Sequence, residues 1–188
     1  MTTAHLDHRI PCLGFALKEK TRLNIRTDAL ADLAIPPGRW LNELKQAIRL
    51  GTPADAPLQI RWSENGLSRE ATYTIGELRD RLVIETRGQK IGYVVDTLFS
   101  RANMERIAAL VAGADVFFCE SLFLDADRDQ ATKRYHLTAR QAASLARAAG
   151  VVRLETFHFS PRYERDPAPL RAEAQAVFRG EIPPDEPL

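Results

Sequence analysis

From Lys90 onward the apolar positions change period at regular intervals. KIGYVVD (90–96) is a short apolar run that reads as a strand. NMERIAALVAG (103–113) spaces its apolar residues three and four apart, as an amphipathic helix closed by Gly113, and ADVFFCE (114–120) reads as a second strand. The cycle then recurs. Thr138 and Gln141 have capping-box spacing ahead of AASLARAA, Gly150 offers a C-terminal cap, and VVRLETFH (151–158) follows as a third strand. A last helix is expected to start near Pro167, with Asp166 as N-cap, and to end before Gly180. Strands alternating with helices predict an α/β layer.

The first half is less regular. HRIPCLGFAL (8–17) reads as an entering strand, with Pro11 marking an edge or a strand start. TDALADLA is a short helix begun by Thr27 or Asp28. IPPG breaks the chain, and RWLNELKQAIRL (39–50) starts another helix with Trp40, Leu44 and Ile48 on one face. LQIRW, ATYTI and RLVIET read as short strands, separated by Gly66 and Gly76, whose pairing the pattern leaves open. The expected organisation is a single α/β domain over 1–188, a protruding helical arm at roughly 19–56, and a flexible tail at 181–188.

Composition narrows the function classes. The chain has 188 residues, 45% of them hydrophobic, enough for a real core. Its 26 basic and 25 acidic residues leave a net charge of +1, so any nucleic-acid contact must be local. Cys12 and Cys119 lack C-x-x-C spacing, which argues against a disulfide framework or a cysteine zinc site and suits the cytoplasm. No apolar run is long enough to span a bilayer, and no membrane partner is expected.

Each of the three later strands ends on a group able to bind metal or move a proton: Asp96, Glu120 and His158. Loops at strand ends form the ligand crevice of open α/β sheets. His136 lies just before the N-terminus of the helix from Thr138, where free N–H groups favour an anion. Alone, such a carboxylate more often caps a loop or pairs with an arginine, and a lone histidine is more often structural. The conjunction with His5 and His8, just before the first strand, points instead to a metal. Imidazole and carboxylate without thiolate suit zinc or manganese in a hydrolytic site. His8, Asp96 and His158 are three ligand candidates, so the site is mononuclear or incomplete.

These residues resemble ribonuclease Z and its relatives in the metallo-β-lactamase fold. HLDHRIPCLGFALKEK resembles the segment in which a histidine before a strand ligates zinc, which implies His8 as ligand and His5 as neighbour. VVDT resembles the motif of the bridging aspartate, Asp96. CESLF and YHLTARQAA resemble the paired glutamate and histidine loops, implying that Glu120 orients His136 to protonate the leaving oxygen of a cleaved phosphodiester. LETFHFSPRY resembles the motif of the last ligating histidine, His158, with Arg162 on phosphate. The implied function is tRNA 3′ processing on a two-zinc site, with manganese as an alternative ion. A small phosphodiester or ester as substrate, and an inactive remnant, are the other readings.

Several features depart from the family pattern. The H-x-H-x-D-H loop that supplies most zinc ligands in that family is not among these residues. Val95 stands where glycine is preferred, Cys119 where a histidine often precedes the glutamate, and IPPGRW where the tRNA-gripping arm carries Gly-Pro. The resemblance therefore covers the C-terminal half of an αββα sandwich. Half a sandwich exposes the inner face of its sheet, an apolar area above the few hundred Å² that monomers ordinarily show, at about 25 cal/mol per Å². A homo-oligomer, such as a dimer, or a missing N-terminal half is expected to cover it.

Overall fold

Two successive antiparallel pairings, followed by two parallel ones, build the central sheet of the computed structural model, whose described residues are 1–185. The strands in chain order are β1 (Thr2–Leu6), β2 (Cys12–Lys18), β3 (Arg22–Ile25), β4 (Pro57–Glu64), β5 (Leu67–Thr74), β6 (Val83–Thr86), β7 (Lys90–Val94), β8 (Val116–Glu120) and β9 (Leu154–Phe157). The helices are α1 (Thr27–Ala31), α2 (Trp40–Arg49), α3 (Ile75–Leu82), α4 (Arg101–Val111), α5 (Arg128–Arg134), α6 (Ala139–Ala148) and α7 (Ala168–Arg179). The chain forms two compact units, one from Met1–Glu19 and the chain from Gln89 onward, the other from Lys20–Gly88.

The first unit carries the sheet in the order β1-β2-β7-β8-β9. The β7-α4-β8 and β8-α6-β9 crossovers are the expected α/β alternation, and parallel neighbours require such connections. Pro11 stands just before β2, a central strand, so of its two readings the strand start is the one realised. The edge strands are β1 and β9, and the apolar pattern did not mark β1.

One face of this sheet is buried. Leu6, Val94, Phe117 and Leu154 project from it into a core shared with Ile107 and Val111 of α4, Leu145 of α6, and Leu170 and Val177 of α7. A fully buried side chain of this size contributes about 1.5–3 kcal/mol. Gly92 lets α4 approach: a Cβ there would lie 2.5 Å from Val111 Cγ1. The opposite face carries exposed Leu13, Phe15, Leu17 and Tyr93. The unit thus has a helical layer on one side of its sheet and apolar side chains in solvent on the other, the form of half an α/β sandwich.

The helix ends follow local chemistry. Thr138 Oγ1 accepts from Gln141 N at 3.2 Å while Gln141 Oε1 accepts from Thr138 N at 2.9 Å, the expected capping box. Pro167 is the N-cap of α7, with Asp166 accepting from Ala168 N, and Gly180 ends the helix in the left-handed conformation. Beyond it, Asp185 carboxylate oxygens lie 2.6 Å from Arg128 and 3.2 Å from Arg140, so this part of the expected tail is tied to the body. Residues 186–188 lie outside the described residues.

The second unit, Lys20–Gly88, is longer than the arm expected over 19–56. Its core gathers Leu33, Trp40, Leu44, Ile60, Leu78 and Leu82. LQIRW and ATYTI pair as the β4-β5 hairpin, turning at Asn65 and Gly66, both with positive φ. The expected RLVIET strand begins only at Val83, because Thr74 and Glu77 form a capping box that starts α3. β6 then pairs with β3.

Candidate active site

Two reversals of chain direction restore the first, so β1 runs the same way as β7, β8 and β9. Their C-terminal ends share one sheet edge. That topology delivers His8 after β1, Asp96 after β7, Glu120 at the end of β8 and His158 after β9 to the same edge. The α5–α6 connection adds His136.

Ligand atoms of Asp96, Glu120, His136 and His158 all lie within 4.8 Å of one another. Glu120, wholly buried, is the hub. Its Oε2 accepts from His136 Nδ1 at 2.9 Å, His158 Nδ1 at 3.1 Å and Asp96 N at 3.1 Å. Its Oε1 accepts from Thr97 N at 3.1 Å and Leu137 N at 3.2 Å. The two imidazoles meet edge to face with centroids 5.4 Å apart, and Asp96 Oδ1 is 3.8 Å from Nδ1 of each.

Electrostatics follow from this geometry. Burial alone would push the Glu120 carboxyl up, but hydrogen bonds from His136 and His158, the charge of His136 and the Thr97 N–H outweigh it and hold the group below its ordinary value. His158 is raised, chiefly by its hydrogen bond to Glu120, against partial desolvation, with help from the Glu120 and Asp96 charges. Because each Nδ1 is spent on the buried carboxylate, each Nε2 is left to bind a metal or carry a proton.

The backbone is strained where the site needs it. Among the described residues the non-glycine positive-φ positions are Ala34, Asn65, Asp96 (55°), Tyr135 (66°) and His158 (57°), and the last three belong to the site loops. Such conformations cost about 1–3 kcal/mol and persist only where neighbours fix them.

Four expected site residues therefore converge, and two stand differently. His8 adjoins the cluster, its ring 5.0 Å from that of His136, but its Nδ1 lies 2.8 Å from the Tyr135 carbonyl and it is outside the ligand group. Arg162 pairs with Asp127, Nη1 to Oδ1 at 2.8 Å. Its side chain is otherwise half exposed. His5 lies on β1, exposed, opposite Leu13 of β2.

The donor set fits a borderline or hard divalent ion: imidazole nitrogens and carboxylate oxygens, with Cys119 buried in the core instead. Asp96 and the Nε2 atoms of His136 and His158 are the groups available to one.

No protein-family model matches the chain. Individual relatives do. Ribonuclease Z of Deinococcus radiodurans is 34% identical over 174 residues, covering 92% of this chain and 48% of the relative. Ribonuclease Z of Bacteroides fragilis is 34% identical over 182 residues, 97% of this chain and 52% of the relative. That of Treponema pallidum is 31% identical over 175 residues, 92% and 49%. The chain is a ribonuclease Z homologue. It spans about half the length of the curated ribonuclease Z relatives it matches. Among solved structures, human tRNase Z short form is 23% identical, covering 57% of this chain and 38% of that one with a TM-score of 0.35. The metallo-β-lactamase fold protein YhfI from Bacillus subtilis is 20% identical, covering 66% and 44% with a TM-score of 0.40.

In this ribonuclease Z homologue the sequence reading missed Asn103. Its amide is fully buried at the start of α4. Its Nδ2 donates to Asp7 O, Thr97 Oγ1 and Leu98 O at 2.9–3.0 Å, and its Oδ1 accepts from Asp7 N at 2.9 Å. One side chain thereby clamps the loop before His8 to the loop after Asp96. A polar residue inside an amphipathic helix pattern was the available signal.

Proposed function

We propose that this chain provides the proton-transfer pair and part of the metal site of a ribonuclease Z-type hydrolase that cleaves a phosphodiester at the 3′ side of a tRNA precursor. The observation that carries this reading is the shared Glu120 carboxylate, which aligns His136 and His158 with Asp96 beside them. Glu120 accepts from Nδ1 of His136 and steadies its imidazolium form, in which Nε2 carries the proton given to the leaving oxygen, the ring returning to the neutral Nδ1–H tautomer. His158 and Asp96, with His8 from the neighbouring loop, would hold zinc or manganese. When bound, such an ion activates water and neutralises the phosphate. The H-x-H-x-D-H ligands are not among these 188 residues, so on this reading residues outside them, from an N-terminal half or a partner, complete the centre.

The unit Lys20–Gly88 is proposed to contact RNA. Arg39, Arg61, Trp40 and Trp62 are among the residues lining a cavity of about 420 Å³ within it, which brings cations and indole rings to one surface. The near-neutral charge, and IPPGRW in place of a Gly-Pro arm, favour as second reading a hydrolase of a small phosphodiester or ester.

Zinc titration and turnover of the chain, supplemented where necessary with an H-x-H-x-D-H-bearing partner, test the assignment. His158→Ala should abolish metal uptake. His136→Ala should keep the metal and lose about 10²–10⁴-fold in turnover. Metal uptake unaffected by both would refute the site. Competition between a tRNA precursor and a chromogenic phosphodiester separates the two substrates, and a folded chain that takes up neither zinc nor manganese would be the inactive remnant.

A further inference from the structure

We propose that Arg9 and Arg134 seat an RNA phosphate next to the one cleaved, an inference that rests on the ribonuclease Z-type reading. A cavity of about 430 Å³ opens beside the cluster, lined by His8, Arg9, Leu122, Arg134 and His136. It contains the proposed proton donor and two cations, and its size suits a piece of a nucleotide chain.

Both guanidinium groups are placed by aromatic rings and leave their donors free. Arg9 Cζ lies 5.7 Å from the centroid of the Tyr135 ring, and Arg134 Cζ lies 5.9 Å from that of Phe123. A ring face attracts the cation but takes none of its five N–H groups. Among the described residues, neither arginine pairs with a carboxylate, whereas Arg128, Arg140 and Arg162 all do. An oxyanion entering the cavity therefore meets two unneutralised forks, and a phosphate accepts such forks with two parallel bonds.

Tyr135 organises the seat. It holds the left-handed conformation at the end of α5, its carbonyl lies 2.8 Å from His8 Nδ1, and its ring underlies Arg9. One residue thus fixes a histidine and an arginine from the loop after β1 against Arg134 from α5. His136 lines the same cavity while its Nδ1 is held by Glu120, so a strand with its scissile phosphate at His136 lays a neighbouring phosphate on the two arginines.

The test is binding of a short single-stranded oligoribonucleotide to the full chain across a salt series, read by fluorescence anisotropy. Arg9→Gln and Arg134→Gln should each weaken binding about tenfold. Each should also lower the salt slope, and the double variant by about 0.7, the loss of one single-strand phosphate contact. Arg153→Gln, at the opposite end of β9, should change neither. Unchanged affinity and slope in both variants, with thermal melts showing intact folds, would overturn the proposal, as would an equal loss in Arg153→Gln. Inorganic phosphate titrated at constant ionic strength separates the anion sources: the oligoribonucleotide must bind more tightly, and equal binding would make this a free-anion site and overturn the RNA seat. Binding is read without metal or turnover, so failure of the hydrolase reading, seen in zinc titration of the His158 variant, is distinguishable from failure of this one.

Discussion

Nδ1 of His136 stands 2.9 Å from Oε2 of Glu120, an oxygen that also accepts from His158 at 3.1 Å. A carboxylate with no solvent contact thus holds two imidazoles in one tautomer. Glu120→Gln keeps the shape but turns an amide NH₂ toward donors already present. We expect a loss of about 1–3 kcal/mol of stability for each donor left unpaired. Zinc affinity should fall about 10–100-fold through the lost outer-shell bond. Denaturant melts and zinc titration check this; an unchanged midpoint and affinity would show that the carboxylate is dispensable.

Asn103 joins the loops carrying His8 and Asp96 without touching either side chain. Asn103→Leu removes four hydrogen bonds and leaves Asp7 N–H without its acceptor, while the carbonyls of Asp7 and Leu98 keep only the N–H groups of Leu98 and Ser100, so it should destabilise the protein by about 1–3 kcal/mol. Hydrogen exchange should rise at Asp7 and Leu98 together. Exchange rising at one loop alone would contradict the clamp.

How much of this was legible follows from where the signals lie. Asp96, Glu120 and His158 were readable because each ends an apolar run, and parallel strands joined by helices must bring those ends to one edge. His136 was readable from the capping box behind it. β1 and α5 were not: β1 is an exposed edge with little alternation, and α5 (Arg128–Arg134) is a polar turn stopped by a tyrosine where a glycine would announce the end. α3 carried its S/T-x-x-E signal at Thr74 and Glu77, but Gly76 between them read as a breaker. The Glu120–His158 bond and the commitment of Arg162 to Asp127 depend on side-chain geometry between distant segments, which spacing along the chain does not encode.

Tyr135 provides a test of strain against positioning. An L side chain in this conformation costs roughly 1–2 kcal/mol relative to glycine. Tyr135→Gly relieves that strain but removes the ring under Arg9 and beside His8. The variant should be more stable than the parent by about 0.5–1.5 kcal/mol, because the relieved strain exceeds the lost cation–π contact of an exposed arginine, worth about 0.5 kcal/mol. It should nevertheless bind the oligoribonucleotide several-fold more weakly. A large loss of stability would show that the ring's packing outweighs the backbone term.

Glu173 gives a pH dependence with a definite sign. Burial, and secondarily the charge of Asp125, raise its carboxyl, although backbone N–H groups of Asp125 and Arg140 oppose the rise. The folded state thus holds the proton to higher pH than the unfolded chain. Its stabilising effect is full below the unfolded value, about 4.3, and is lost as pH rises through the folded one. Glu173→Gln keeps the acceptor oxygen and removes the titration, so this component of the slope should vanish from melts taken between about pH 4 and 6. A slope identical to the parent's would assign it elsewhere.

The open sheet face makes the last prediction. Phe15 and Tyr93 are register partners on β2 and β7, and Tyr93 meets the Phe157 ring of β9 at 5.0 Å, so these aromatics form one continuous patch with Leu13 and Leu17. Tyr93 is 40% exposed and Leu17 54%, values that cost little for scattered residues but accumulate across contiguous strands. At about 25 cal/mol per Å², covering such a patch drives association with a second copy or with a polypeptide bearing the complementary apolar sheet. Light scattering after gel filtration should find the chain larger than a monomer, and Phe15→Lys should shift it toward monomer without lowering its melting point, because Phe15 lies outside the buried core. A monodisperse monomer at tens of micromolar would remove the argument that this face awaits a partner.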